Sequence, residues 1–164
     1  MIFLSIGSNL VSKYGDRIFN IKKTIELLNT NDIKVISISS YYETPSYPNQ
    51  SDPKFINIAA AVSFNQSPID LLNKITLIEK SLGRVRGVKN QPRICDIDII
   101  DFEGNIMNNE KLILPHKNMH NRNFVLLPLK EICPYWKHPL KNIKIDELID
   151  NLSLKTMNEI TRIV

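Results

Sequence analysis

The order in which strand and helix patterns alternate constrains the fold of this chain more than any other feature of its sequence. Ile2–Ile6 is a short apolar run typical of a strand, and Asp16–Asn29 places isoleucine and leucine at helical spacing. Ile33–Tyr42 then alternates apolar with polar side chains, which predicts a strand with one solvated face. Phe55–Phe64 is another strand pattern, reached through a proline-rich loop, Glu43–Lys54.

A second helix and a further strand complete this alternation. Ser67-Pro68-Ile69-Asp70 combines an N-cap serine, a proline in the first turn and an acid three residues after the cap, so a helix begins here and continues to Gly83. Ile94–Phe102 is the next strand, and we expect Glu103-Gly104-Asn105 to turn it back into a hairpin with Ile106-Met107. The order β-α-β-β-α-β is the ferredoxin-like pattern.

The rest of the chain adds elements without a break in composition. We expect a short strand near Leu112–Leu114 and helices over Asn121–Glu131 and Ile145–Leu152. The sequence therefore predicts one α+β domain spanning residues 1–164, with a largely antiparallel sheet and helices on both sides in a three-layer α-β-α arrangement.

Composition excludes several classes of protein. The 43% of apolar residues is too high for a disordered chain, and no apolar run approaches the roughly 18 residues of a membrane span. Two cysteines are too few for a disulfide framework. No signal peptide is visible at the start, so we expect a cytoplasmic protein without membrane contact.

Basic residues cluster in one segment. The net charge is +4, and the stretch from Arg84 to Arg93 holds four cations and no acid: Arg84, Arg86, Lys89 and Arg93. Such a segment favours an anionic ligand.

Two carboxylates follow this segment directly. Asp96 and Asp98 lie at i and i+2 of the predicted strand, so their side chains leave the same face about 6–7 Å apart. Paired carboxylates hold hard cations such as Mg²⁺, whereas a solvated strand edge would explain the pair equally well. Because a cationic segment lies within three residues, we favour a phosphoryl-transfer site.

The common phosphate-binding loops are absent from the sequence. With five glycines, the chain has neither Gly-x-x-x-x-Gly-Lys-Ser/Thr nor Gly-x-Gly-x-x-Gly, and it lacks the Gly-x-Ser-x-Gly of serine hydrolases. Nucleotide chemistry would therefore depend on side-chain cations and metal. His116 and Arg122 are further candidates, because an arginine at a helix start is locally unfavourable unless an anion binds there. A structural histidine and a solvated arginine are the alternatives.

In combination, these segments resemble the 6-hydroxymethyl-7,8-dihydropterin pyrophosphokinase family. Motifs of this family occur in the family's order over nearly the whole chain. A single one of them would be weak support, but five in the right order are strong support. They are Ile6-Gly7-Ser8-Asn9-Leu10; Thr44-Pro45 with Phe55-Ile56-Asn57; Gly83-Arg84-Val85-Arg86 with Pro92-Arg93-x-x-Asp96-Ile97-Asp98-Ile99; Pro115-His116 through Asn121-Arg122-x-Phe124; and Leu127-Pro128-Leu129.

The resemblance implies an ATP-dependent enzyme of folate biosynthesis. Such an enzyme transfers a diphosphoryl unit from ATP to the hydroxymethyl group of the pterin and releases AMP. The resemblance further implies two Mg²⁺ ions held by Asp96 and Asp98, with Arg84 and Arg93 as catalytic residues.

The resemblance also assigns the two substrates to separate sets of residues. Phe55 and Phe124 would enclose the pterin ring, and three more residues, Thr44, Pro45 and Asn57, would read its polar edge. The ATP-binding set is Glu79, Ile99, Lys111, His116 and Arg122.

Some positions depart from the family's pattern, among them Cys95 in a place that is usually aliphatic. Asn90-Gln91 replace the Trp-Gly that usually precedes Pro92-Arg93, which affects how the loop would close over ATP. Lys111 stands where an arginine is common, and lysine cannot form the bidentate contact that arginine makes.

Other classes of function remain open from the residues. A ferredoxin-like RNA-binding module would carry aromatic residues on its central strands, and Ile2–Ile6 and Phe55–Phe64 do not show that pattern, so we expect no nucleic acid partner. A structural homologue without ATP chemistry is a further possibility, which the intact arginine and aspartate set disfavours. We expect a monomer, either alone or as a module of a folate-enzyme fusion.

Overall fold

The computed structural model describes residues 1–84 and 91–163, so Arg86, Lys89 and Asn90 of the basic segment lie outside the described residues. The strands are β1 (Ile2–Ser8), β2 (Lys34–Ile38), β3 (Tyr42–Thr44), β4 (Phe55–Ser63), β5 (Asp96–Phe102), β6 (Met107–Asn108), β7 (Ile113–Leu114) and β8 (Thr161–Arg162). The α-helices are α1 (Arg17–Thr30), α2 (Pro68–Ser81), α3 (Asn123–Ile132), α4 (Ile145–Asp150) and α5 (Leu154–Asn158).

The main sheet confirms the ferredoxin-like α+β prediction. Its strands follow the order β5-β1-β4-β3-β8, with β2 also paired to β4, and each of these pairings is antiparallel. β1 and β4 are central, and their apolar residues are nearly all buried. A second, two-stranded sheet joins β6 to β7.

Helices cover both faces of the main sheet and produce the predicted three layers. Ile56, Ile58, Ala60 and Val62 of β4 face one core, whose other side comes from α1 and α2. The alternate residues Ala59 and Ala61 face a second core with α3 and α4. Because the side chains of a strand alternate, one strand contributes to both cores.

Local sequence explains where the helices begin. Ser67 accepts a hydrogen bond from the Asp70 backbone N–H, and the Asp70 carboxylate accepts one from the Ser67 N–H, so the predicted capping box is present. The Asp16 carboxylate caps α1 through the N–H groups of Ile18 and Phe19.

The structure corrects two strand predictions. Ile33–Tyr42 is broken into β2 and β3, because Ser40 between them donates its N–H and its hydroxyl to Glu131 of α3. The turn at Glu103–Asn105 forms, but β6 pairs with β7 instead of returning along β5. Sequence patterns also gave no indication of α5 and β8, the last elements of the described chain.

No helix within residues 1–84 and 91–163 has the length and apolar character needed to cross a membrane.

Candidate active site

A cleft of about 810 Å³ opens on the sheet face that α3 covers. β3, β4, β5, α3 and the loops beside them supply most of its walls. Eleven of the predicted site residues line it: Thr44, Pro45, Phe55, Asn57, Arg84, Arg93, Asp96, Asp98, His116, Arg122 and Phe124.

Gly7 of β1 forms the floor between the two strands that carry most of these side chains. It pairs with Asn57 of β4 on one side and with Asp96 of β5 on the other. A Cβ atom at position 7 would lie 2.8 Å from Asn57 Oδ1 and 3.4 Å from the Phe55 ring. Glycine is therefore required here for space, since these side chains pass directly over its backbone.

Aromatic and amide groups form one half of the cleft. Asn57 donates a hydrogen bond from Nδ2 to Thr44 Oγ1 at 3.0 Å, and both side chains are buried. Phe55 and Phe124 each carry a guanidinium near the ring, with Arg93 at 5.7 Å and Arg122 at 5.5 Å from the centroids. We call this region the aromatic half.

The predicted metal residues form the other half, together with four cationic or titratable groups. Arg84 Nη1 lies 2.7 Å from Asp96 Oδ1, and Arg93 Nη1 lies 3.4 Å from Asp96 Oδ2. Asp98 Oδ2 is 3.4 Å from Arg122 Nη1 and 3.8 Å from His116 Nε2. We call this region the charged half.

One donor in the charged half lacks an acceptor. Arg93 Nε is buried and has no hydrogen-bond partner among the described residues. Since a buried donor without an acceptor is costly, this atom is suited to an oxygen supplied by a ligand.

Glu79 lies beneath the charged half and not in its lining. Its Oε1 accepts a hydrogen bond from the Ile97 backbone N–H at 2.8 Å and contacts Arg84 Nη1. Burial raises the pKa of Glu79 to about 7, although the positive charge of Arg84 works in the opposite direction. Glu79 therefore orients Arg84 from behind.

The other titratable groups of the charged half are also shifted. Burial and the neighbouring Asp96 raise the pKa of Asp98, and Arg122 opposes this rise. Burial and the charge of Arg122 lower the pKa of His116 to about 4, so the imidazole is neutral near pH 7.

Besides Glu79, two predicted ATP residues lie outside the lining of the cleft. The Ile99 side chain packs into the core on the α1 and α2 side, so only its backbone can reach a ligand in the cleft. Lys111 is exposed in the connection between β6 and β7, where its N–H donates to Asn109.

Asn9 links the walls of the cleft, although it was not among the predicted site residues. It is buried, and its Oδ1 accepts from the Arg93 N–H at 2.7 Å. Its Nδ2 donates to Ser46 Oγ and to the Pro53 carbonyl at 3.2 and 3.0 Å. Its place directly after β1, within Gly7-Ser8-Asn9, was the available signal.

Further lining residues were not among the predicted site residues. The loop before β4, the start of α3 and the C-terminal segment provide them: Tyr47, Gln50, Asn118, Asn121, Asn123, Lys155, Thr156 and Glu159.

The charged half fits a hard cation that completes its shell from a ligand. Asp96 and Asp98 present carboxylates on one face, yet no group of three or more His, Cys, Asp or Glu within residues 1–84 and 91–163 could hold a metal ion. A cation here therefore needs additional oxygens, such as those of a phosphate chain.

Comparison with known proteins agrees with this geometry. The sequence model of 7,8-dihydro-6-hydroxymethylpterin-pyrophosphokinase (HPPK) matches residues 3–134. A 2-amino-4-hydroxy-6-hydroxymethyldihydropteridine pyrophosphokinase of Methylorubrum extorquens is 38% identical over 133 residues, which cover 80% of this chain and 82% of the relative. A folic acid synthesis protein of Dictyostelium discoideum is 38% identical over 152 residues, 93% of this chain but 22% of that protein.

The fold is shared with solved structures. A crystal structure of a Plasmodium falciparum HPPK-DHPS with pterin and p-hydroxybenzoate has a TM-score of 0.72 and 17% identity, covering 98% of this chain and 46% of that one. The chain spans about a fifth of the length of the folic acid synthesis proteins that it matches. The match over most of its own length nevertheless settles its family: this chain belongs to the 7,8-dihydro-6-hydroxymethylpterin-pyrophosphokinase (HPPK) family.

Proposed function

We propose that this chain transfers diphosphate from ATP to the hydroxymethyl group of 6-hydroxymethyl-7,8-dihydropterin and releases AMP, with Mg²⁺ as the required ion. The observation that carries the proposal is the joining of two unlike halves in one cleft. Phe55 and Phe124 suit a flat heterocycle, and the cations around Asp96 and Asp98 suit a phosphate chain.

Asp96 and Asp98 would hold two Mg²⁺ ions, which supply charge neutralisation for the phosphate oxygens and align the reacting groups. The remaining chemistry belongs to side chains of the chain itself. Arg84 and Arg93 converge on Asp96 from opposite ends of the basic segment, so both guanidiniums can donate to the transferred group. Donors fixed in this way stabilise charge that develops in the transition state.

Binding of substrates would replace contacts that the charged half now makes within itself. Arg122 and His116 both lie near Asp98, and a phosphate chain would offer them stronger acceptors. His116 is neutral near pH 7, so it would donate a hydrogen bond and contribute no positive charge. Arg93 Nε would gain the acceptor that it lacks.

The aromatic half would orient the pterin. Stacking between two phenyl rings fixes the plane of the heterocycle, and Asn57 and Thr44 offer polar atoms to its edge. Holding the hydroxymethyl group next to the phosphate chain contributes to catalysis because it replaces a bimolecular encounter with a fixed geometry.

We also propose a cytoplasmic monomer with a single domain over residues 1–164, which could act alone or as a module of a fusion. Homologues that carry HPPK as part of a longer chain support the last point. An RNA-binding role has less support, because helices cover both faces of the main sheet within the described residues and leave little sheet surface for stacked bases.

Nucleotide analysis tests the proposal directly. The protein is incubated with ATP, Mg²⁺ and 6-hydroxymethyl-7,8-dihydropterin, and the nucleotide products are separated. We expect AMP and the pterin diphosphate in equal amounts, and no AMP when the pterin or Mg²⁺ is omitted. Release of ADP, or no turnover together with tight RNA binding, would overturn the proposal.

A further inference from the structure

The C-terminal segment 153–163 forms one wall of the cleft. Lys155, Thr156 and Glu159 line it, although the family match ends at residue 134. These residues therefore add to the site from a part of the chain that the family's motifs do not include.

Two sets of hydrogen bonds fix this segment in place. Asn123, at the start of α3, donates from Nδ2 to the Thr156 carbonyl at 2.5 Å. At the other end, Arg162 Nη2 lies 2.7 Å from Ser40 Oγ and 3.3 Å from Glu131 Oε1. The segment is thus fastened on both sides of Glu159.

The pairing of β8 with β3 brings the end of α5, and with it Glu159, close to the aromatic half. β8 pairs antiparallel with β3, with Tyr42 opposite Arg162 and Glu43 opposite Thr161. Glu159 is the C-cap of α5, two residues before β8, and it lines the cleft together with Pro45, which directly follows β3. Thr44, the partner of Asn57, is the last residue of β3.

Glu159 also differs from the other acids of the cleft. Within the described part of the chain, three acids line the cleft, namely Asp96, Asp98 and Glu159. Asp96 and Asp98 each contact cationic groups, whereas the Glu159 carboxylate has no ion pair or hydrogen bond with a described residue. It is a carboxylate with both oxygens available.

The chemistry of a pterin matches such a group. Its pyrimidinone ring presents an exocyclic amino group beside a ring N–H, two adjacent donors that a carboxylate can accept together. Asn57 cannot satisfy both donors, because its Nδ2 is a donor already bonded to Thr44 and only Oδ1 can accept. We propose that Glu159 is a further recognition residue, which accepts hydrogen bonds from the amino edge of the pterin; this assignment rests on the proposed function.

Direct binding measurements test the assignment. Pterin affinity is measured by calorimetry in the presence of Mg²⁺ and a non-hydrolysable ATP analogue, for the unsubstituted protein, Glu159→Gln and Glu159→Ala. Glu147→Gln is the matched control, since Glu147 is exposed on α4 and does not line the cleft. We expect about tenfold weaker pterin binding in both Glu159 variants, unchanged affinity for the ATP analogue, and no change in the control.

A pterin that lacks the 2-amino group provides the second readout. The unsubstituted protein should bind it more weakly than the complete pterin, and Glu159→Gln should reduce this difference. Unchanged pterin affinity in both Glu159 variants would overturn the assignment, and so would a loss of affinity confined to the ATP analogue. In either case, AMP release by the unsubstituted protein would still support the proposed function. Absence of AMP release and of pterin binding in the unsubstituted protein would overturn both.

Discussion

The two halves of the cleft are held together by different interactions. In the charged half, Asp96 and Asp98 are satisfied by Arg84, Arg93, Arg122 and His116, groups that a phosphate chain would also engage. In the aromatic half, Asn57 and Thr44 are buried against the sheet and bonded to one another. The first half therefore has to exchange partners when substrates bind, whereas the Asn57–Thr44 pair of the second half is already in place.

This difference indicates how each half would use the free energy of substrate binding. Breaking charge pairs costs free energy, which new contacts with ligand oxygens and metal have to offset. The contacts of the charged half therefore stabilise most when the transferred group is fully charged. Contacts between the aromatic half and the pterin would be present before and after diphosphate transfer. They would therefore stabilise the bound substrate and the transition state equally. Substitutions in the two halves should therefore affect turnover and pterin affinity to different degrees.

The largest expected effect is the loss of a metal carboxylate. Asp96→Asn and Asp98→Asn keep the shape of the side chain and remove its charge. We expect each to lower AMP formation by about 10³-fold or more and to raise the Mg²⁺ concentration needed for half-maximal rate. Rates measured over a Mg²⁺ titration provide the test.

Asp101→Asn is the control from the same strand. Asp101 is buried and accepts hydrogen bonds from Trp136 Nε1 and the Gly104 N–H, both at 2.8 Å. We expect this variant to unfold at lower denaturant concentration while its Mg²⁺ requirement stays unchanged. If Asp96→Asn and Asp98→Asn behaved in this way instead, their role would be structural and the charged half would need no metal.

The arginines should separate turnover from binding. We expect Arg84→Ala and Arg93→Ala to lower the rate of the chemical step by about 10²–10³-fold, because each removes a donor directed at developing charge. Pterin affinity should change far less, since it depends on Phe55, Asn57 and Phe124. Single-turnover rates and pterin dissociation constants from the same preparations measure both quantities.

Arg17→Ala is the matched control for the arginines, because Arg17 pairs with Glu43 away from the cleft. Equal losses of binding and single-turnover rate in Arg84→Ala or Arg93→Ala would show that these arginines hold substrate without favouring the transition state. Arg86, which we expect to matter less than either, lies outside the described residues.

A smaller effect on pterin binding should follow from adding a methyl group at Gly7, beneath Asn57 and Phe55. In Gly7→Ala, the added methyl group would lie 2.8 Å from Asn57 Oδ1, so the amide has to move. We expect about tenfold weaker pterin binding and unchanged affinity for an ATP analogue. Ser5→Ala is the control, because Ser5 lies two residues earlier on the same face of β1. Loss of ATP affinity in Gly7→Ala would mean that the two halves are not independent.

Sequence patterns predicted the local parts of this arrangement. Asp96 and Asp98 share a face because strand side chains alternate, and the capping box at Ser67 fixes the start of α2, so both could be read from neighbouring residues. The resemblance supplied the cleft residues on β3, β4 and α3. These features depend on spacing over a few positions.

Features that depend on distant contacts were missed. The partner of β6 is β7 because the chain reverses at residues 109–112, and β8 pairs with β3 although Thr161 and Arg162 follow Glu43 and Tyr42 by more than a hundred positions. Asn9 bonds to residues 37, 44 and 84 positions further along the chain. Such pairings are set by tertiary packing, and local propensity contains no information on them. Glu159 reaches the cleft at the end of α5, which the long-range pairing of β8 with β3 brings to this place.

The last prediction concerns the stability of the fold, with no direct effect on turnover expected, and the acid beneath the charged half. Burial raises the pKa of Glu79 to about 7, whereas the same group in the unfolded chain titrates near its ordinary value of 4.5. Between these values the folded protein keeps a proton that the unfolded chain has lost, so the free energy of unfolding falls as pH rises from about 4.5 to about 7. The contribution is about 2–3 kcal/mol over this window.

Glu79→Gln isolates this contribution. The amide retains an oxygen to accept from the Ile97 N–H but cannot titrate. His116 acts with the opposite sign, because its pKa is lowered and stability from it rises between about pH 4 and 6.5, but it is common to both proteins and cancels in their difference. Urea unfolding at pH 5, 6, 7 and 8, without metal or nucleotide, should show Glu79→Gln gaining stability relative to the unsubstituted protein as pH rises. Parallel pH profiles of the two proteins would contradict this prediction. They would mean that Glu79 stays ionised in the folded protein through its pairing with Arg84, so that the buried carboxylate belongs to the ion-pair network of the charged half.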